Sequence, residues 1–359
     1  MAFGFSAAGV AAALPSILAQ TQEAKSEWTC TKLPVEISLL PYSGTIYQSF
    51  SRTRKQMRNL KILSVFFSLL FSLTLKSVGD DTQPVILLWA QGAPNTEGKT
   101  ADQNVKITAN GERVLTGVNN PSLTLFIPEK SKATGVGVLV APGGGHRQLS
   151  FDSEGCFIGQ WLAERGIAGF VMANRLAREA GSTYTLDDEL ADTQRAMRTI
   201  CSRSEEWNID PAKLGMIGFS AGGELVNMLV QKNDTGKSDA TDPIDRFGCK
   251  PAFQGLIYPG NSKSIAPTKG SPPAFLLCGA NDRPDISEGL PNVYLLFKAA
   301  SVPVELHIYA GTGHGFGYRP RSDVASNEWP WRFQEWLCTA GFLKESSLLG
   351  PPPLRTVAQ

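Results

Sequence analysis

The chain of 359 residues holds just three histidines, His146, His307 and His314, so a mechanism that needs an imidazole has few to draw on. It also lacks an excess of either charge. With 34 Lys and Arg against 33 Asp and Glu, it presents no basic field for nucleic acid or an anionic membrane. A small or neutral ligand is expected, with no nucleic-acid and no stable membrane partner. Cysteine is sparse. Cys30, Cys156, Cys201, Cys249, Cys278 and Cys338 include no CxxC pair and no histidine at zinc-ligand spacing, which argues against a structural metal. Neither GxxxxGK[ST] nor GxGxxG occurs in the glycine-rich stretch at 142–146, so a phosphate-cradling reading is weak there and no cofactor is expected. No internal repeat or interdomain linker divides the chain, and nothing in it sets an oligomeric state.

What is present suffices for one large domain, since 42% of the residues are hydrophobic. Cys278 ends the apolar run 274–277 and reads as a small buried core residue, while the other cysteines leave a disulfide open. Near the N-terminus, Arg58 and Lys61 precede an apolar run over 62–75, and Ser77-Val78-Gly79 offers a small-x-small cleavage site before Asp80. The run is short of the ~20 residues of a spanning helix, so 57–79 reads as a signal peptide and the protein as exported. The alternative is an anchor formed by 62–75. Residues 1–56 show no period that continues into the rest and read as a disordered, over-extended start, with translation beginning at Met57. A peptide from residues 1–50 in mass spectra of the natural protein would sink that reading. Cleavage after Gly79 would remove Cys30 and leave five cysteines, at least one of them free or paired between chains.

From 80 to 345 strand-like and helix-like segments alternate, which predicts a mostly parallel sheet with helices on both faces. Strands are expected at 85–89, 105–108, 123–127, 136–141, 168–173, 254–258, 274–278 and 304–309, with another just before Ser220. Helices are expected at 152–165, 186–207, 224–231, 286–300 and 326–339, and Asp192 and Arg195, three apart, can pair on the second of them. Residues 346–359 form a proline-rich, flexible tail.

Gly218-Phe219-Ser220-Ala221-Gly222 matches G-x-S-x-G, where small residues flank the serine because the chain bends sharply from strand to helix. A similar run at 4–9 around Ser6 has no strand before it and lies upstream of the signal peptide. A serine hydroxyl needs a base to take its proton and an acid to orient that base. On such a sheet the order is Ser, then Asp or Glu, then His. His314, in Gly313-His314-Gly315, follows the last strand and fits the base. His307 lies within that strand, where a paired or surface role fits, and His146 follows the glycines and suits the pocket lining. Asp282, just past the strand ending at Cys278, fits the acid, with Asp285 the rival and the better candidate for a helix N-cap. Ala221 and either Gly144 or Gly145 can supply the oxyanion-hole amides. The reaction implied is ester cleavage through an acyl-enzyme.

Several further motifs accompany these residues: Pro142-Gly143-Gly144-Gly145, Glu154-Gly155, Trp161-Leu162, Arg175-Leu176, Asp192-Thr193-Gln194-Arg195-Ala196 and Gly315-Phe316-Gly317. With them, the chain from about Pro84 to Leu343 resembles a bacterial branch of the α/β-hydrolases related to carbohydrate esterases, acetylxylan-esterase-like and feruloyl-esterase-like proteins sometimes labelled xylanase. The resemblance implies the α/β-hydrolase fold, release of acyl groups such as acetyl from plant-type polysaccharides or sugars, and a pocket bordered by His146, Glu154, Arg175 and Glu224. Three positions depart from the pattern: His146 and Asn174 stand where Tyr is usual, and Glu224 where His is. A glycosidase would need two carboxylates about the scissile bond. The alternatives are a general short-chain carboxylesterase, a serine peptidase, which the lack of a propeller or other gating domain disfavours, and a non-catalytic binding protein on the same scaffold, whose usual sign is a lost triad residue. The 15 residues between Tyr258 and Ala274 are too few for a large lid, so an open cleft is expected.

Overall fold

The runs that are almost wholly apolar become the interior of one sheet. In the computed structural model, which describes residues 83–99 and 101–347, these are β5 (Gly137–Ala141), β6 (Ala168–Ala173), β7 (Leu214–Phe219), β8 (Gln254–Ile257) and β9 (Ala274–Gly279), each buried along its whole length. Parallel strands covered on both faces show this continuous apolar pattern rather than an alternating one. The five are joined by parallel ladders, with β10 (Val304–Tyr309) added in parallel as the edge. At the other side β4 (Ser122–Phe126) pairs antiparallel with β6 and with β1 (Val85–Leu87), so the order is β1-β4-β6-β5-β7-β8-β9-β10. A separate hairpin of β2 (Asn104–Ile107) and β3 (Arg113–Thr116) is joined to the loop after β5 by a bridge between Leu115 and Leu149.

Six α-helices connect or flank these strands: α1 (Phe157–Ala163), α2 (Leu186–Ser202), α3 (Ala221–Gln231), α4 (Pro284–Ser287), α5 (Gly289–Ala299) and α6 (Trp329–Thr339). α2 begins at a capping box, in which Thr185 accepts from the Asp188 amide and the Asp188 carboxylate accepts from the Thr185 amide. It buries Glu189, Thr193, Ala196, Met197 and Ile200, a stripe at helical spacing.

Several boundaries differ from expectation. α2 ends at Ser202 rather than 207, because the chain leaves the helix to set Trp207 against Phe170, ring centroids 4.9 Å apart. The helix expected over 152–165 opens as a π-helical turn, Asp152–Cys156, before α1. The helix expected over 286–300 is broken at Glu288, and α5 carries Pro291 in its first turn, where a missing N–H costs nothing. β3 was not anticipated, although Asn110-Gly111 between Ile107 and Val114 is a hairpin signal. Asp192 and Arg195 do not pair. Asp192 turns to Arg175, while Arg195 reaches Asp242 at 2.6 Å and Asp245 at 3.0 Å, since both side chains are buried and each takes the partner its surroundings supply. Cys156, Cys201, Cys249, Cys278 and Cys338 are all free thiols, and Cys278 is fully buried. The expectations for 1–56 and 57–79, including Ser6 and Cys30, and for the tail beyond 347 lie outside the described residues.

Candidate active site

β7 ends in a turn so tight that it excludes side chains. Ser220 itself sits at φ 50°, ψ −112°, an unfavourable region for a residue with a Cβ and one typical of functional strain. A Cβ on Gly222 would lie 2.1 Å from the Ala141 carbonyl oxygen, so glycine is required where α3 starts beside β5. The bend lifts the serine hydroxyl out of the sheet, half-buried and facing the loop after β10.

That loop brings His314, whose Nε2 is 2.9 Å from Ser220 Oγ. On the far side of the ring, Nδ1 lies 3.0 and 2.9 Å from the two oxygens of Asp282. Nδ1 therefore donates to the carboxylate and Nε2 is left to accept from the serine. The Asp282 carboxylate is fully buried and also accepts from the Arg283 amide at 2.7 Å, which fixes its orientation. Asp285 takes no part in this chain. It is exposed and paired with Arg283, whose guanidinium holds its carboxyl below the usual range, and it stands inside the first turn of α4 rather than at the cap. His307 is on the edge strand and pairs with Glu305 at 2.6 Å.

The loop after β5 runs beside Ser220. Gly144 adopts φ 139°, and a Cβ there would fall 2.0 Å from the Gln148 carbonyl oxygen. The Gly143 amide is already bonded to Glu154 at 2.8 Å. The amides of Gly144, Gly145 and Ala221 have no protein acceptor among the described residues, which leaves them open to a developing oxyanion. A cleft of about 500 Å³ opens over these groups. Gly144, Gly145, Ser220, His314 and Glu154 line its floor, and the β2–β3 hairpin contributes Thr108, Asn110, Glu112, Arg113 and Val114 as a wall. A bidentate pair between Glu112 and Arg319, 2.5 and 3.0 Å, joins this wall to the histidine loop.

Of the four pocket residues expected besides the triad and the amide donors, Glu154 borders the cleft and the other three do not. Arg175 is fully buried and held by Asp192 (2.8 and 2.9 Å), Asp188 and the Pro94 carbonyl, so its charge is spent inside the protein. His146 is buried behind the glycine loop, with Nδ1 2.7 Å from Glu189 and Nε2 3.7 Å from Glu224. Asn174 donates to the same Glu189 oxygen at 3.2 Å, so two of the three positions that depart from the pattern meet at Glu189 and the third, Glu224, stands on the other side of the His146 ring.

Burial alone would depress the His146 imidazole, but the hydrogen bond to Glu189 and the nearby charges of Glu189 and Glu224 outweigh it and push it up to about 9. Because the folded value is raised, this histidine stabilises the fold fully below about pH 6.5, its unfolded value, and the contribution disappears as pH rises through about 9. The shift corresponds to a contribution on the order of 3 kcal/mol. His146→Asn is the matched variant, since asparagine tolerates the φ of 60° found there. Urea unfolding of both proteins from pH 6 to 10 is expected to show their stability gap narrowing between pH 6.5 and 9; a gap that stays constant would overturn this.

Residues 123–250 match the BD-FAE family model. An acetylxylan esterase from Xylanibacter ruminicola is 28% identical over 218 residues, covering 55% of this chain and 44% of that protein, so the chain spans less than half the length of this curated relative. Among solved structures, the acetyl ester-xyloside bifunctional hydrolase of Caldicellulosiruptor lactoaceticus is 26% identical with a TM-score of 0.59, over 73% of this chain and 97% of that one. A thermophilic esterase from Thermogutta terrifontis, solved with propionate bound, shares the fold at 21% identity with a TM-score of 0.52, over 70% and 97%. By its sheet, by the turn that carries Ser220 and by these matches, the chain has the α/β-hydrolase fold, and its segment 123–250 is similar to the BD-FAE family.

Proposed function

We propose that the protein is a serine carboxylesterase that removes short acyl groups, acetyl foremost, from polyhydroxylated alcohols such as plant-type polysaccharides or sugars. The observation that carries this reading is the unbroken chain from Ser220 Oγ through His314 to Asp282, with links of 2.9 Å, opening on a polar cleft. In the first step Ser220 Oγ bonds to the ester carbonyl carbon while its proton passes to His314 Nε2, and Asp282 steadies the imidazolium. The carbonyl oxygen, now negative, faces the amides of Gly144, Gly145 and Ala221. Collapse breaks the bond to the alcohol oxygen, which leaves with the proton from His314, and an acyl-serine remains. Water then attacks the acyl carbon as His314 takes its proton, and Ser220 Oγ departs and is reprotonated.

Two features support the substrate class. Val114 is the only large apolar side chain among the residues lining the cleft, whereas Thr108, Asn110, Gln148 and Ser150 offer groups that bond hydroxyls. The named activities of the Xylanibacter and Caldicellulosiruptor relatives support acetyl as the acyl group. The charged-then-apolar stretch at 57–79 extends the proposal to an exported enzyme, and recovery of a mature N-terminus at Asp80 checks it.

The purified full chain is assayed against p-nitrophenyl acetate, butyrate and a feruloyl ester, and against acetylated xylan. Ser220-dependent acetate release from xylan and a preference for acetyl over butyryl and feruloyl are expected. Absence of serine-dependent turnover on every substrate would favour a binding protein. Turnover of short esters with none on xylan would leave a general short-chain esterase.

A further inference from the structure

Two buried polar side chains beneath the cleft have no part in the reaction as written above. Glu154 lies in the π-helical turn at 4% exposure, and Tyr258 follows β8 at 0%, with φ 35°. Between them they form one chain of hydrogen bonds. The Gly143 amide donates to Glu154 Oε2 at 2.8 Å, Tyr258 Oη donates to Glu154 Oε1 at 2.8 Å, and the Gly317 amide donates to Tyr258 Oη at 2.9 Å. The directions follow from counting protons. Backbone amides only donate, so Tyr258 Oη receives from Gly317 and must give its own proton to Glu154, whose two oxygens then accept one bond each. With both oxygens accepting, this arrangement favours the carboxylate form of Glu154. Burial pushes its carboxyl up and the bonds from Tyr258 and Gly143 offset this only in part, while burial beside Glu154 keeps the Tyr258 phenol protonated.

The two ends of the chain are what matter. Gly143 immediately precedes Gly144, an amide open to the oxyanion, and Gly317 lies three residues past His314. The Tyr258 ring also stands edge-on to the His314 ring, centroids 5.0 Å apart, and to Phe316 at 4.8 Å. The loop after β5 and the loop after β10, far apart in sequence, are thus tied together beneath the serine.

We infer that Glu154 and Tyr258 are a positioning pair, which holds the oxyanion loop and the histidine loop at one separation so that the Gly144 amide and His314 Nε2 converge on the same carbonyl. The inference rests on the esterase reading above. Its effect belongs to the transition state: a displacement of about 1 Å at reacting groups costs on the order of 10²-fold in rate, while ground-state binding in the open cleft is little changed.

Full-length Tyr258→Phe, Glu154→Gln and the double variant are compared with the unmodified protein on p-nitrophenyl acetate, with active sites counted by stoichiometric phosphonylation of the serine. Each single variant is expected to lose roughly 10- to 100-fold in kcat per titrated site, with KM within about twofold. A trifluoromethyl ketone that mimics the tetrahedral adduct is expected to bind more weakly by the factor lost in kcat/KM. The double variant is expected to be no worse than the poorer single one, because either change breaks the same chain. Full kcat per titrated site in Tyr258→Phe, a loss confined to KM, or fewer titratable sites with normal turnover would each overturn the inference. If Glu154→Gln yields no folded enzyme, Tyr258→Phe decides alone, since it deletes one oxygen and leaves Glu154 bonded to Gly143. An unmodified protein without serine-dependent turnover would instead sink the esterase reading itself.

Discussion

Ser220→Ala is expected to lower kcat by roughly 10⁴-fold or more while leaving the fold as stable as before. The activity loss follows from deleting the atom that forms the covalent bond; any remaining rate comes from the free amides and from binding. Stability is a separate matter. Alanine has the same Cβ as serine, so the strained backbone at φ 50° is neither relieved nor worsened, and the hydroxyl makes one side-chain bond, to His314. A change within about 0.5 kcal/mol is expected, as for substitutions that touch neither core nor buried charge. Initial rates together with thermal denaturation separate the two quantities. Near-normal ester turnover would refute the assignment of the nucleophile, and a large drop in melting temperature would show that the rate had been lost to unfolding.

The largest stability effect is expected at Arg175. Its guanidinium and backbone amide, with Trp89 Nε1 at 3.2 Å, satisfy an Asp192 carboxylate that is wholly buried. Burial pushes the Asp192 carboxyl up, and Arg175 opposes that push. Arg175→Met keeps much of the length and removes the charge, stranding Asp192 without a counter-ion. Breaking a buried pair in this way costs about 3–5 kcal/mol, whereas replacing both partners with apolar groups can be neutral. Urea unfolding is therefore expected to place Arg175→Met at least 3 kcal/mol below the parent, with Arg175→Met/Asp192→Leu recovering a large part of the loss. A single variant within 1 kcal/mol of the parent would show that the pair contributes little.

These two residues also mark what a sequence can and cannot disclose. Ser220, Asp282 and His314 were legible because each stands just past the end of a strand, and parallel strands carry such ends to one edge of the sheet. Gly143 and Gly144 after β5 were legible because close backbone approaches there leave no room for a side chain. Arg175 was assigned to the pocket because the motif containing it says nothing of direction, and only the packed structure shows its charge turned inward to Asp192. Helical spacing likewise says that Asp192 and Arg195 can meet, but buried partners are chosen by tertiary neighbours. Tyr258 carried no local signal at all, since Glu154 lies 104 residues away. The hairpin wall had its signal in Asn110-Gly111, obscured by the brevity of β3 and the charges at Glu112 and Arg113.

The linkage of Asn174, Glu189, His146 and Glu224 has a consequence for how this chain could have diverged from its relatives. A histidine at 224 would set a second imidazole against His146 and remove one of the two carboxylates that raise it, and a tyrosine at 146 would leave Glu189 without its counter-ion. A histidine at 224 or a tyrosine at 146 is therefore ill suited to this background when introduced alone. The three positions are linked through His146 and Glu189, and a hybrid built from this chain and a relative is expected to be most stable when the glycine loop, the strand end at 174 and the first turn of α3 are exchanged together.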